Sequence, residues 1–228
     1  ACHLRITRPN IAKMLRSGEG SGHRMSGHTG QIILRSWSAA PDPAQAIGEI
    51  ADGIGQRKLA LLCLFLSPDS GRPECAAAAC HAYPDTLIIG CTTAGENTPA
   101  GMRDNTVVAV AFSAENFSVS TTCIDPEEAP DQLAGKVLDL IAAEQGNPAT
   151  LPHRFAFLLN DGLARHEDRV ISAVSPSLGD IAHFGGSAGD GLEFSESWLL
   201  WDGAFHKNIS FLTLVRSRLP IEVFRIEN

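Results

Sequence analysis

The sequence predicts an α/β fold with a mixed, largely parallel sheet and flanking helices, built from two strand–helix–strand pseudo-repeats plus antiparallel strands. Apolar runs of strand length alternate with stretches at helical spacing, which favours this class. Two glycine-rich turns, residues 90–96 and 185–190, each follow a short apolar run. A longer apolar strand precedes each turn at nearly the same distance, because Leu59 to Gly90 is a step of 31 residues and Phe155 to Gly185 is a step of 30. This spacing indicates an internal duplication.

The first 30 residues are predicted to be a disordered basic leader, and residues 31–228 a single domain. The leader is rich in glycine, serine, arginine and histidine and shows no apolar period. Residues 1–24 carry five basic side chains against one acid, although the whole chain has a net charge of −8. Met25 would be a natural start.

The first pseudo-repeat is predicted from its apolar patterns. Residues 41–56 carry a helix start signal at Asp42–Pro43 followed by apolar residues at helical spacing. The continuous apolar run 59–66 suits a buried strand and is far too short for a membrane span. The predicted elements are the strand 32–37, the helix 41–56, the strand 59–66, the helix 73–83 and the strand 87–89.

The later part of the chain is predicted in the same way. Residues 106–112 and 117–124 are expected to form a β-pair, and an amphipathic helix is expected over 129–145. The second pseudo-repeat and the tail then comprise the strand 155–159, the helix 166–175, the strand 181–184 and the strands 198–201, 209–215 and 221–226.

Composition excludes several classes of protein. The acidic body argues against nucleic acid as a partner, since phosphates would be repelled. No apolar stretch is long enough to span a membrane and no secretory signal opens the chain. Six cysteines without a Cys-x-x-Cys pair are expected to be reduced thiols in the cytoplasm.

The two glycine turns are the candidate functional site. Small and hydroxyl residues at the carboxyl ends of parallel strands form ligand crevices in α/β sheets. The prediction is a small-molecule pocket between the turns, with apolar strand ends as walls and a few polar contacts. The predicted ligand-binding residues are Gly90, Cys91, Thr92, Asp161, Gly185, Gly186, Ser187 and Asp190. A packing role for the turns alone is the alternative.

Residues 185–189 also match the G-x-S-x-G nucleophile elbow, which would make Ser187 the nucleophile of a serine hydrolase. The stretch that follows Asp190 breaks the helical pattern that this elbow requires, and His206 is the only histidine left downstream. His166 or His183 could each serve as the axial ligand of a haem, although a structural role is the alternative for both. No paired histidine spacing indicates another metal site.

The chain resembles the N-terminal FIST domain, a sensory module of bacterial signal transduction. Three ordered motifs carry the resemblance: residues 90–96, Asn160-Asp161-Gly162-Leu163 with the following residues 166–168, and residues 185–190. It covers residues 32–223 and lacks the C-terminal FIST module, so a fragment of a longer protein is expected. The Asn-Asp-Gly-Leu and Gly-Gly-Ser-Ala turns are also similar to the haem-binding, nitric-oxide-sensing NosP subgroup.

The resemblance implies a non-enzymatic cytoplasmic domain that binds a small ligand and passes its state to a histidine kinase or a cyclic-di-GMP enzyme. Amino acids, or haem b with nitric oxide, are the ligands implied. The alternatives are the serine hydrolase and a ligand-free interaction scaffold.

Overall fold

The computed structural model describes residues 2–6, 32–144, 146–191, 193 and 195–225. Its helices are α1 (Pro43–Ile54), α2 (Arg72–Ala82), α3 (Pro130–Ala142) and α4 (Glu167–Leu178). Its strands are β1 (Cys2–Ile6), β2 (Ile33–Ser38), β3 (Leu59–Leu66), β4 (Leu87–Thr92), β5 (Glu96–Thr98), β6 (Gly101–Arg103), β7 (Val107–Ser113), β8 (Phe117–Ile124), β9 (His153–Asn160), β10 (Ala182–Ser187), β11 (Leu199–Trp201), β12 (Ala204–His206), β13 (Ser210–Ser217) and β14 (Ile221–Arg225). The predicted mixed α/β fold is confirmed.

Local sequence explains the helix boundaries. The side chain of Asp42 accepts a hydrogen bond from the backbone N–H of Gln45 at 2.8 Å, and Pro43 occupies the first turn of α1, where a missing N–H is harmless. Four apolar residues of α1 at helical spacing are buried. In α3, the backbone N–H of Ala129 donates to the Gln132 side chain at 3.1 Å, which closes the helix start.

The duplication extends further than the two strand–helix–strand units. The first half runs β2-α1-β3-α2-β4 and reaches β7, with sheet neighbours in the order β4-β3-β7-β2. The second half runs β8-α3-β9-α4-β10 and reaches β13, with neighbours in the order β10-β9-β13-β8. In both halves the two strands flanking the second helix pair in parallel, and the other pairs are antiparallel. The two halves therefore share one topology.

The two sheets pack face to face with helices on both outer sides. A central core is formed by residues of both sheets, among them Leu61, Cys63, Phe155 and Phe211. A second core lies between α1, α2 and the first sheet, and a third between α3, α4 and the second sheet. The result is a four-layer α-β-β-α sandwich, since each sheet buries both faces.

The hairpins that follow the glycine turns break this symmetry. The hairpin β5–β6 forms a separate two-stranded sheet, whereas β11 of the hairpin β11–β12 crosses to the first sheet and pairs with β4. Among the residues that the structure describes, the first sheet therefore has six strands and the second has four.

Two expectations are corrected. The stretches 106–112 and 117–124 do not pair with each other: β7 lies between β3 and β2, and β8 pairs with β13. Each belongs to its own half, because β8 begins the second copy. At the start of the chain, β1 is a strand that pairs antiparallel with β14 rather than part of a disordered segment. The rest of the predicted leader lies outside the described residues.

Candidate functional site

The two glycine turns meet. The backbone N–H of Gly189 donates to the carbonyl of Thr92 at 2.9 Å, and a Cβ on Gly189 would lie 3.3 Å from the Ala94 nitrogen. The turns also begin alike, because the N–H of Thr93 bonds to Leu66 and that of Ala188 bonds to Asn160, each on the neighbouring parallel strand. The carboxyl ends of β4 and β10 therefore face a common region, as sheet topology predicts for ligand crevices.

A cavity of about 640 Å³ opens between the turns. Its volume falls within the range of small-molecule sites, which is roughly 300–1,000 Å³. Most of the residues that line it are polar or charged, whereas apolar strand ends were expected from the sequence. They comprise five acids, one arginine and several hydroxyl and small residues: Ser67, Pro68, Asp69, Arg72, Thr93, Ala94, Gly95, Asp104, Asn105, Asp190, Gly191, Glu193, Ser195 and Glu196.

A buried carboxylate supports the first turn. Glu96 is 2% exposed, and hydroxyl groups surround it. Ser67 and Thr106 donate to Glu96 Oε2 at 2.8 and 2.7 Å, and Thr93 donates to Oε1. Ser67 in turn accepts the backbone N–H of Asn105 at 2.8 Å. Because buried polar groups are costly unless hydrogen-bonded, this network holds the floor of the cavity in one arrangement.

Asp190 and Asp161 organise the loops of the second half. Asp190 Oδ2 accepts the backbone N–H groups of Ser195 and Glu196, the latter at 2.9 Å, so the loop after the second turn folds back over it. Asp161 Oδ2 accepts the N–H of Asn208 at 2.7 Å, and its other oxygen accepts from Ser197 and Leu163. Of the two predicted aspartates, Asp190 lines the inter-turn cavity.

Three further predicted residues lie inside the sheet. A Cβ on Gly90 would sit 2.1 Å from the carbonyl oxygen of Leu64, so this glycine permits the close approach of β4 to β3. Cys91 is buried in the central core, where burial and the nearby Glu96 raise the pKa of its thiol to about 12. Thr92 is fully buried, and its hydroxyl accepts the N–H of Trp198 at 3.0 Å.

The remaining predicted residues line a second cavity between α4 and β10. Gly185, Gly186 and Ser187 border this space of about 250 Å³, together with His183 and Glu167. The α4 side combines the apolar Ile171, Val174 and Leu178 with the polar Glu167 and Ser175. The structure thus divides seven of the predicted residues among the inter-turn cavity, the sheet interior and the α4–β10 cavity, and it places Asp161 in the hydrogen-bonded loops after β9, outside both cavities.

The two candidate axial histidines, His166 and His183, do not fit a haem in this arrangement. His183 Nδ1 lies 3.0 Å from the Ile181 carbonyl, and Nε2 lies 3.1 Å from the Ser175 hydroxyl, so both ring nitrogens are engaged. His166 Nε2 lies 3.3 Å from a Glu127 carboxylate oxygen. The α4–β10 cavity beside His183 is smaller than usual small-molecule sites, and no histidine is among the residues that line the larger cavity.

The nucleophile-elbow match does not have the geometry of an elbow. Ser187 ends β10, and the next regular element along the described chain is the strand β11 rather than a helix. Its hydroxyl donates to the Glu167 carboxylate, not to a histidine. The G-x-S-x-G pattern here reflects a strand that ends in small residues.

Sequence reasoning missed the cationic residues beside the cavity. Arg72 opens α2 directly after the loop from β3, and its guanidinium lies 4.8 Å from the centre of the Trp198 ring. Lys207 lies 4.3 Å from the same ring and bonds to Glu196 at 2.6 Å. Arg72 follows the carboxyl end of a parallel strand, and this position could have indicated that it lies beside the cavity. Its contact with Trp198 could not be predicted in this way, because it depends on the crossover of β11.

The fold is a duplicated α/β sandwich whose two glycine turns meet beside a cavity lined by acids, hydroxyl residues and one arginine. The chain belongs to the FIST N domain family, whose family model matches residues 60–227. This is a sensory domain of signal transduction. A search of curated proteins finds no match. Across the described residues, no helix combines the length and apolar character needed to cross a membrane.

Proposed function

We propose that the inter-turn cavity binds a small zwitterionic or cationic ligand, such as an amino acid, and that its occupancy is the signal. The observation that carries the proposal is a single cavity of about 640 Å³ bordered by both copies of the glycine turn. A ligand there contacts both halves at once. Binding would therefore favour one arrangement of the two halves over another.

The charges of the lining support an amino acid. Arg72 offers a planar donor for a carboxylate, and the acids of the lining, Asp190 among them, attract an ammonium group. The hydrogen bond from Lys207 lowers the pKa of Glu196, which keeps this carboxylate charged near the cavity. Such a mixture of one cation and several acids suits a ligand that carries both signs of charge.

The proposed output is the activity of a partner histidine kinase or cyclic-di-GMP enzyme in the cytoplasm. Free thiols at Cys63, Cys75, Cys80, Cys91 and Cys123 support a reducing compartment. These partner classes are the ones that the resemblance implies, and the sensory role of the matched family supports them only in general terms. A ligand-dependent change in the rate of autophosphorylation or of cyclic-di-GMP turnover in a mixture with the partner is the expected readout.

The test of the ligand site is a thermal shift screen with the common amino acids. A ligand at a hundred times its Kd stabilises the folded state by about 2.7 kcal/mol, which raises the melting temperature of a chain of this size by roughly 5 °C or more. Arg72→Gln should abolish the shift. The matched control is Arg218→Gln, because Arg218 follows β13 at the end of the sheet opposite the turns.

Two results would redirect the proposal. If no small molecule shifts the melting temperature, an interaction scaffold becomes the better explanation. The haem-based form, with nitric oxide as the signal, has less support because the ring nitrogens of His183 are engaged. Titration with haemin tests it directly, since a Soret band that disappears in His183→Ala or His166→Ala would restore it.

A further inference from the structure

The outer edge of β10 differs from the matching edge of β4. Within the part of the chain that the structure describes, β10 is the end strand of its sheet and pairs with β9 alone. Its counterpart β4 lies between β3 and β11. An open edge presents unpaired N–H and C=O groups and is a template for a further strand.

The first half shows what covers such an edge. Leu200 of β11 lies opposite Gly90, is fully buried, and packs into the core between the first sheet and its helices. Phe205 of β12 packs against the same core. The hairpin thus combines main-chain pairing with an apolar side chain that lies over a glycine.

The second half has the same glycine without the covering side chain. Gly185 matches Gly90, because each lies opposite the same position of the neighbouring parallel strand, Leu158 and Leu64. On either side of Gly185, His183 bonds to Ser175 and Ser187 bonds to Glu167, which ties the strand to α4. Between these two contacts lies the cavity of about 250 Å³.

The lining of this cavity specifies what it can accept. Most of its lining is apolar and comes from β9, β13 and α4: Leu158, Leu212, Val174 and Leu178, with the exposed Ile171 at the mouth. Glu167 is the one acid among the lining residues, and it lies at the Ser187 end. An aliphatic side chain over Gly185 and a cation near Glu167 complement this surface.

The backbone of β10 is oriented for pairing. Successive residues of a strand direct their N–H and C=O groups to opposite sides, and the N–H of Ala188 donates to Asn160 of the neighbouring segment. Gly185 and Ser187 therefore direct their N–H and C=O groups to the open edge. In the first half the equivalent N–H, that of Thr92, donates to the Trp198 carbonyl at 2.9 Å.

We propose that the open edge of β10 binds an antiparallel strand of a partner protein, with an apolar residue opposite Gly185 and a basic residue two positions earlier, opposite Ser187. The partner strand takes the place that β11 holds in the first half. This is β-strand addition, in which main-chain bonds give affinity and alternate side chains give specificity. The site is separate from the inter-turn cavity and does not depend on a ligand there.

The probe is a labelled peptide with the sequence of residues 196–208, the hairpin that covers β4, titrated against the full chain of residues 1–228. The peptide is used in its natural form and with Trp198→Lys, which places a basic residue opposite Ser187. We expect the lysine peptide to bind more tightly. We expect Ser187→Pro in the protein, which removes one outward N–H, to weaken binding at least tenfold.

Matched variants separate pairing from other effects. Ser187→Ala removes the hydroxyl but keeps the N–H, so it should bind like the wild type. Ile171→Lys places a charge at the cavity mouth and should weaken binding, whereas Leu138→Lys changes an equally exposed apolar residue on α3 and should not. Because Ile171 is exposed, we expect Ile171→Lys to fold normally. The comparison of Ile171→Lys with Leu138→Lys therefore still tests the proposal if Ser187→Pro fails to fold.

Three results would overturn the proposal. The first is the absence of peptide binding, and the second is equal binding by Ser187→Pro and Ser187→Ala. The third is a dimer in sedimentation that dissociates in Ser187→Pro, because the occupant would then be a second copy of this chain.

Discussion

The two halves have the same topology, yet their corresponding strands have different environments. Five of the six residues of β4 are buried, whereas all residues of β10 are exposed or partly exposed. The cause is the route of one hairpin, because β11–β12 crosses to cover β4 and the hairpin β5–β6 does not cover β10. Among the described strands, the outer edge of β4 is therefore paired, whereas the outer edge of β10 is not.

Hydrogen exchange should show the largest difference between the halves. The amide of Thr92 is buried and bonded to Trp198, whereas the matching amide of Ser187 faces the open edge. We expect exchange at Thr92 to be slower by about 1000-fold or more, which corresponds to about 4 kcal/mol of local opening free energy. Amide exchange followed by NMR measures it, and equal protection would show that another segment covers β10.

The paired glycines should respond unequally to a methyl group. In Gly90→Ala the Cβ would lie 2.1 Å from a backbone oxygen of β3. The strand β4 cannot shift away from this contact, because it pairs with a strand on each side. In Gly185→Ala the corresponding distance is 2.8 Å, and β10 can shift outward at its open edge. We expect a loss of about 3 kcal/mol for Gly90→Ala and about 1 kcal/mol for Gly185→Ala, measured by urea unfolding. Equal losses would mean that β10 is held as tightly as β4.

The comparison also explains what could be predicted from the sequence. The helices and most strands followed from apolar periodicity, and β3 and β8 begin and end where predicted. The step of 30 or 31 residues revealed the central unit of the duplication. Strand partners were less predictable: the short link between β7 and β8 suggested a hairpin, but each strand pairs within its own half. Apolar periodicity indicates which residues of a strand are buried, but it does not indicate which strand lies beside it.

For the site, the sequence indicated that the turns meet but not which side chains face the space between them. Residues of a strand alternate between faces, so Cys91 points into the central core while the loop residues beyond β4 line the cavity. Arg72 and Glu196 come from other loops and depend on tertiary packing. The acids that end the two turns, Glu96 and Asp190, look alike in sequence and have different surroundings.

Those two acids provide the next prediction. Glu96→Ala leaves three hydroxyl groups without their acceptor in a buried place and should cost about 2 kcal/mol of stability. Asp190→Ala removes the acceptor of two backbone N–H groups. Both belong to exposed residues, so water can bond to them instead, and we expect a loss of about 1 kcal/mol of stability. Urea unfolding measures both, and the exposed Asp104→Ala is the control, with little change expected. A larger loss for Asp190→Ala would contradict this assignment.

The smallest effect is expected at the base of the crossing hairpin, where Glu196 precedes β11 and Lys207 follows β12. Lys207 bonds to Glu196 at 2.6 Å, and this hydrogen bond is the main cause of the lowered pKa of Glu196. A carboxyl group with a lowered pKa contributes stability above its ordinary value of 4.5 and loses it as the pH falls through the lowered value. Lys207→Ala should therefore move the pKa of Glu196, followed by NMR titration, upward toward that ordinary value.

The contact is partly exposed, so salt should reduce the difference in this pKa between the wild type and Lys207→Ala. Lys136→Ala, which removes the partner of Glu128 in the second half, should leave Glu196 unchanged. An unchanged titration in Lys207→Ala would mean that the hydrogen bond from Lys207 does not lower the pKa of Glu196.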